Sequence, residues 1–333
     1  MKHIKHNKHD GSDDISISHL IYAPQAINVH MSLLFTAMLH HGFSPMQFRF
    51  SKLIPIVKNK RKSLNDSNNY RAIALSSVMG KVFDWVLLEL YKNNVNTSDL
   101  QFGFKAGSST VTCTYVFDEV TTYYNQRGSD VYAMFLDASK AFDRVNYVRL
   151  FNEMRKKGLC PLVTRFLINM YVLQSMCVSW EMSKSFSFSV SNGVKQGGVL
   201  SPILYGIYND LLLNMLKESG VGCYIGCTFI GALAYADDVV LLSPTRAGLL
   251  KMLNICNIFS CKYDVVFNAD KSNLIVYTCN QHKIDDVHVT FQGKQVRAEK
   301  NGVHLGNLIG NDLHKKTYLS WNFRIYQEIK CPT

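Results

Sequence analysis

Two runs of apolar residues, 229–234 and 239–242, close on two adjacent carboxylates, Asp237 and Asp238. Acidic side chains seldom sit inside apolar sequence unless they are paired or meet a cation. The pattern predicts a β-hairpin with both acids at its tip. Two carboxylates ~4 Å apart repel by ~4 kcal/mol at an effective dielectric near 20. A solvated turn relieves much of that, and an Asp-rich turn is the ordinary reading of the pair taken alone. A third acid changes the reading. Asp137 closes another short apolar run, 131–136, bounded on its other side by Asp130. With both segments in one sheet, three carboxylates converge on one point. Oxygen ligands of that kind suit hard divalent cations, Mg2+ first. Two such ions can activate a 3′-hydroxyl and stabilise a leaving pyrophosphate.

The remaining pattern interleaves helices and strands. Apolar residues at helical spacing, with capping and stop signals, predict helices over 26–39, 78–90, 110–124, 147–157, 161–173, 203–216 and 249–259. Short extended stretches fall at 53–57, 185–190, 265–267, 274–277, 287–291 and 295–297. In 185–190, Phe186 and Phe188 alternate with serines, as on a half-buried strand. This order predicts an α+β fold with antiparallel hairpins. No linker rich in Pro, Gly or Ser divides the chain.

The 36 Lys and Arg exceed the 25 Asp and Glu, giving a net charge of +11. That favours a polyanionic partner, since each neutralised phosphate releases counterions, although charge alone also suits a merely soluble basic protein. Between positions 52 and 62 lie Lys52, Lys58, Lys60, Arg61 and Lys62 with no acid among them. The run reads as a solvated loop or, close to Arg71, as a phosphate-contacting one. The nine cysteines are odd in number and lack zinc-site spacing, which fits reduced thiols in an intracellular protein. Lys2, His3, Lys5, His6, Lys8 and His9 open a polar leader with no signal-peptide core, read as a flexible tail or a His-rich metal tract. No run of ~18 uncharged apolar residues predicts a membrane span.

Three motifs carry a resemblance. Leu136-Asp137-Ala138-Ser139-Lys140-Ala141-Phe142-Asp143, then Gly193-Val194-Lys195-Gln196-Gly197-Gly198-Val199-Leu200-Ser201-Pro202, then Tyr235-Ala236-Asp237-Asp238 resemble, in order, the core motifs of reverse transcriptases. Asn69-Tyr70-Arg71-Ala72-Ile73, Gln101-Phe102-Gly103-Phe104, Asn268 with Lys271, and His304-Leu305-Gly306 are similar to flanking motifs of the non-LTR retrotransposon branch. The resemblance covers residues from about 30 to 306. Ala72 departs from a frequent Pro, and His304 from a frequent Tyr; neither change removes a catalytic group.

The resemblance implies a right-hand polymerase core, with a flexible basic leader over 1–25 and the reverse transcriptase domain over 26–310. Fingers would occupy about 26–130 and an antiparallel palm sheet flanked by helices about 131–310, with finger elements interleaved. The segment 311–333 would be a truncated end, with the thumb mostly absent. It implies two Mg2+ ions, with Mn2+ as an alternative, held by the catalytic acids Asp137, Asp237 and Asp238, the last also helping to hold the primer end. It implies Phe142 as an aromatic under the sugar that excludes a 2′-hydroxyl, and Gln196 with Gly197 against the incoming nucleotide. Arg71 and Lys58 would clamp the triphosphate, although the loop joining them looks long, and Lys271 would serve the pyrophosphate. Tyr235, His304, Leu305 and Gly306 would position the primer. The implied partners are an RNA template, a DNA primer and deoxynucleoside triphosphates, with no membrane. Two other readings stay open: a silent nucleic-acid-binding remnant, and an RNA-dependent RNA polymerase in which Asp143 would favour ribose. For single residues the plain alternatives are core packing for Phe142, a turn for Gly197-Gly198, and surface charge for Arg71 and Lys271.

Overall fold

The structure, a computed structural model, describes residues 15–278 and 287–310. Most of the expected leader and the segment after residue 310 lie outside these residues. Residues 17–21 within the expected leader form a helix, capped by Ser16 and anchored by buried Ile17 and Leu20.

The chain makes four passes between two compact units. The first unit runs to Thr97 and resumes over Lys140–Tyr208; the second takes Ser98–Ser139 and the chain from Asn209 on. The first pass builds α1 (Ile17–Ile21), α2 (Ala26–His41), α3 (Met46–Arg49), β1 (Phe50–Val57), β2 (Tyr70–Ser76) and α4 (Val78–Leu90). The second pass gives α5 (Thr110–Asn125) and β3 (Val131–Leu136). The third gives α6 (Tyr147–Lys156), α7 (Pro161–Val172), β4 (Ser175–Trp180), β5 (Ser183–Lys184), β6 (Phe188–Ser189) and the start of α8 (Ser201–Glu218). The last completes α8 and adds β7 (Tyr224–Ile225), β8 (Thr228–Phe229), β9 (Ala232–Tyr235), β10 (Asp238–Ser243) and α9 (Arg246–Tyr263). It ends with β11 (Asn273–Tyr277), β12 (His288–Phe291), β13 (Lys294–Glu299), β14 (Asn301–His304) and β15 (Asn307–Gly310).

In the first unit β1 pairs antiparallel with β2 and parallel with β4, and β5 and β6 both lie against β4. The rings of Phe35, Phe48, Phe83 and Phe166 join α2, α3, α4 and α7, with centroids 4.8–6.5 Å apart. Ser77 starts α4 by accepting from the Gly80 N–H, and Pro161 starts α7, where its missing N–H costs nothing. The strand expected over 185–190 shrinks to Phe188–Ser189, because β4 offers partners only to those two residues. Phe186, expected on a half-buried strand, is 97% exposed.

The second unit is a six-stranded sheet in the order β12-β13-β11-β3-β10-β9. Val131, Ala133 and Phe135 of β3 share one core with Cys113, Phe117 and Val120 of α5, and with Val240, Leu242 and Ile275 of neighbouring strands. Helix α9 packs against β3, β10 and β12. A strand held between neighbours and covered in this way reads as a nearly unbroken apolar run, which is why 131–136 was legible without alternation. Residues 265–267 form no ladder; Phe267 makes one isolated bridge to Ala138. No helix among the described residues is long and apolar enough to cross a membrane.

Candidate active site

Strands β9 and β10 pair with Asp238 opposite Tyr235, leaving Ala236 and Asp237 as a two-residue loop. Ala236 has φ 58°, and a positive φ at the first loop residue is what a type II′ hairpin requires. Strand β10 also pairs with β3, with Val239 opposite Leu136. One step further along both strands, Asp238 faces Asp137. The three acids therefore share one end of the sheet.

Their charges are felt locally. The Asp238 carboxyl is pushed up to about 6, first by loss of water and then by the negative charges of Asp237 and Asp137. Asp238 keeps an exposed surface, so solvent damps the effect, but its direction follows from three acids in proximity. The Lys271 ammonium lies 3.9 Å from Asp137 Oδ2. The loop before β11 holds the end of β3: the Asp137 N–H donates to Ser272 Oγ at 3.2 Å, and the Asn268 N–H donates to the Asp137 carbonyl at 2.8 Å. Ser272 Oγ donates in turn to the Asn268 carbonyl at 2.7 Å. Asn268 and Lys271 thus reach Asp137 through one short turn.

Among the described residues, no three His, Cys, Asp or Glu side chains meet as a ready-made metal cage. The three carboxylates expected to converge stand at one strand end. The donors still fit Mg2+. They are all oxygen and all acidic, with Asp137 and Asp237 close enough to disfavour the charge of Asp238, and Mg2+ is ordinarily held by one or two carboxylates together with waters and substrate phosphates.

Two further elements of the second unit bear expected residues. Tyr235 ends β9 and packs against the core. Strands β14 and β15 pair with His304 opposite Asn307, so Leu305 (φ 49°) and Gly306 (φ 80°) form the loop. Two successive positive φ values are the signature of a type I′ turn. The His304 ring lies 4.8 Å from that of Phe135, and burial pushes its pKa down to about 4.

In the first unit, Arg71 lies opposite Ile56, and the Lys58 N–H donates to the Asn69 carbonyl at 2.7 Å. The intervening loop, which the sequence made look long, folds back as a hairpin connection, and Lys58 and Arg71 fall at the same end of β1 and β2. The Gln196 carbonyl accepts from the Ala74 N–H at 2.7 Å. Gly197 has φ 99°, and a Cβ there would come within 3.1 Å of Ile73 Cγ2 and 3.3 Å of the Ala74 carbonyl oxygen. Ile73 and Arg71, two apart on β2, point to the same face, so Gly197 approaches the face that carries Arg71. Phe142 stacks on Tyr205, centroids 4.8 Å apart and planes 14° from parallel. Asp143 is exposed among Lys140, Lys58 and Arg144; partial burial raises its pKa against their pull.

The sequence reading gave no role to four buried polar side chains that reach these loops. Gln101 and Asn209 contact Ala236 in the second unit. In the first, Asp84 and Lys195, the neighbour of Gln196, act on each other's charge.

A polymerase palm is the class of site that an acid-tipped hairpin beside an acid-ended strand defines. The reverse transcriptase (RNA-dependent DNA polymerase) family matches residues 57–309, and the chain belongs to it. It is 27% identical over 261 residues to the retrovirus-related Pol polyprotein from type-2 retrotransposable element R2DM of Drosophila melanogaster, covering 78% of this chain and 24% of that protein. It is 25% identical over 295 residues to the probable RNA-directed DNA polymerase from transposon X-element of the same fly, covering 85% of this chain and 31% of that protein. These relatives place it with the non-LTR retrotransposon polymerases, of which it spans about a quarter to a third in length. Among solved structures, apo telomerase from Candida tropicalis superposes with a TM-score of 0.52 at 14% identity, covering 87% of this chain and 53% of telomerase. That likeness concerns the fold, which is the right-hand polymerase core.

Proposed function

We propose that this chain copies an RNA template into DNA by adding deoxynucleotides to a primer 3′-hydroxyl. The observation that carries the reading is the placement of Asp137 across from Asp238, with Asp237 beside it in a two-residue turn. Asp137 and Asp237 would hold two Mg2+ ions, Mn2+ being an alternative, and Asp238 would keep the primer end in place. Those ions would activate the hydroxyl and neutralise the phosphates.

The chain's own groups supply position and charge, which is most of what phosphoryl transfer asks of a protein. Arg71 offers a planar fork to the triphosphate, and Lys58, at the same hairpin end, adds a point charge. The Gln196 side chain would brace the nucleotide, and Gly197 lets backbone come close to it. Phe142, held flat on Tyr205, would leave no room for a 2′-hydroxyl. Lys271, beside Asp137, would donate a proton to pyrophosphate or balance its charge. Tyr235, His304, Leu305 and Gly306 would line the primer path. The first unit would then act as fingers and the second as palm.

The test is extension of a primed RNA template with Mg2+ and deoxynucleotides, comparing wild type with Asp237→Asn. Wild type should extend and the variant should fall to background. Equal product from both removes the mechanism; a preference for ribonucleotides favours an RNA polymerase instead.

A further inference from the structure

The turn that bears Asp237 is not held by its own hairpin alone. Ala236 is 8% exposed, and its backbone N–H and C=O lie in the loop between Tyr235 and Asp238, the last pair of the ladder. Buried backbone groups of this kind need partners. A non-glycine residue at φ 58° also carries a strain of about 1–2 kcal/mol, which the surroundings must hold in place.

One side chain answers both needs. Gln101, 1% exposed, accepts the Ala236 N–H on Oε1 at 2.9 Å and donates from Nε2 to the Ala236 carbonyl at 3.2 Å. Its amide pairs with the turn residue as a neighbouring peptide group would. The same Oε1 accepts the Gly103 N–H at 2.9 Å, which fixes the orientation of the amide. Asn209, 4% exposed, sends a second donor to the Ala236 carbonyl at 3.3 Å. The segment carrying Gln101 is itself docked on β9: the Phe102 N–H donates to the Ala234 carbonyl at 2.7 Å, and the Ala234 N–H to the Leu100 carbonyl at 2.8 Å. Asp210 pins the start of that segment by accepting the Ser98 N–H at 2.9 Å. The approach is so close that a Cβ on Gly103 would sit 2.3 Å from the Ala236 nitrogen.

We infer that Gln101 is a positioning residue whose side-chain amide, supported by Asn209, fixes the left-handed conformation of Ala236 and so aims the Asp237 carboxylate. The inference rests on the proposed role of Asp237, but it reaches that residue through the adjoining peptide, without touching substrate.

The full chain serves for the test, as wild type, Gln101→Leu, Gln101→Glu, Asn209→Leu and Asp237→Asn. Primer extension gives kcat and KM, and hydrogen exchange follows residues 232–240. Gln101→Leu should lower kcat by about a hundredfold with KM for deoxynucleotide nearly unchanged, because misplacing a catalytic group by ~1 Å costs about that much. Exchange should quicken at the Ala236 amide and stay slow in the rest of the sheet. Gln101→Glu adds a distinguishing readout. Ionised, it sets a negative oxygen against the Ala236 carbonyl; protonated, it can donate there again. Its kcat relative to wild type should therefore rise as pH is lowered, which a residue that merely fills space would not cause. Asn209→Leu, removing one donor of two, should show the same signs more weakly, and it covers the case in which Gln101→Leu fails to fold. Wild-type kcat and exchange in Gln101→Glu and Asn209→Leu would overturn the inference while a dead Asp237→Asn left the proposed function standing. An active Asp237→Asn would instead remove the catalytic role, and exchange at Ala236 would still decide whether Gln101 holds the turn.

Discussion

The 193–200 loop of the first unit and the 235–238 turn of the second are held by different physics. Neutral amides grip the turn. The loop rests on a buried lysine coupled through its charge to a carboxylate. Lys195 is 7% exposed and donates to the Phe48 carbonyl at 3.4 Å, and its charge faces Asp84 of α4. Burial pushes Lys195 down to about 8 and Asp84 up to about 7, while each charge favours the other and the Leu200 N–H steadies the carboxylate. The Asp84 residue keeps some surface of its own, but its carboxyl group is enclosed. Amides hold a geometry without responding to pH. Two coupled charges hold one only while both partners are present, and each depends on the other for its charge.

The largest expected effect follows from removing one half of the pair. Lys195→Met leaves Asp84 enclosed without its counter-charge and should cost about 3–5 kcal/mol in urea unfolding. The double variant Lys195→Met with Asp84→Leu should recover most of that loss. If it recovers none, charge pairing is not what anchors the loop.

A contrast in pH dependence comes next. Asp84 has a folded pKa above its unfolded value, so the folded first unit binds the extra proton, and its contribution to stability falls as pH rises from about 4 toward about 7. His304 has a folded pKa below its unfolded value, so its contribution is complete above about 6.5 and is lost as pH falls toward about 4. The second unit also holds Asp118 and Asp238, whose carboxyls are pushed up to about 7 and about 6, so their contributions run against that of His304. In hydrogen exchange, Asp84→Asn should therefore flatten a fall in protection with rising pH, and His304→Phe should remove a rise. An unchanged pH slope in either variant would mean that other groups govern that unit.

The smallest effect concerns the pair at the end of β3. Lys271 is 67% exposed and stands 3.9 Å from Asp137 Oδ2, so Lys271→Met should change stability by less than about 1 kcal/mol. Any larger loss of stability would make this a structural contact, as Lys195 is expected to be.

Sequence legibility followed the same division. Helix α4 and strand β3 have the bounds expected from the sequence, Val78–Leu90 and Val131–Leu136, because Ser77 caps one and apolar continuity marks the other. The acid-tipped hairpin was legible because the flanking runs are apolar and the tip is not. Strands β2 and β4 were not recognised as strands, and β5 and the β14–β15 hairpin are too short for periodicity to register. The positions of Arg71, Phe142 and Gln196 followed from motif likeness, while their neighbours did not. Gln101 was noticed within a motif and given no role. Its partner lies 135 residues away, and a neutral amide announces no chemistry until the backbone group it satisfies can be seen. Lys195 and Asp84 were silent for the same reason, each being unremarkable without the other.

The stack of Phe142 on Tyr205 has a consequence for how an element of this kind could drift over generations. If Phe142 gates the sugar as proposed, a sieve built from two laminated rings stays tight only while both keep their thickness. Slimming the lower ring, as Tyr205→Leu would, gives the upper one room to tilt while Phe142 itself is unchanged. Under the proposed role of Phe142, fidelity to deoxyribose would then depend on Tyr205 as well.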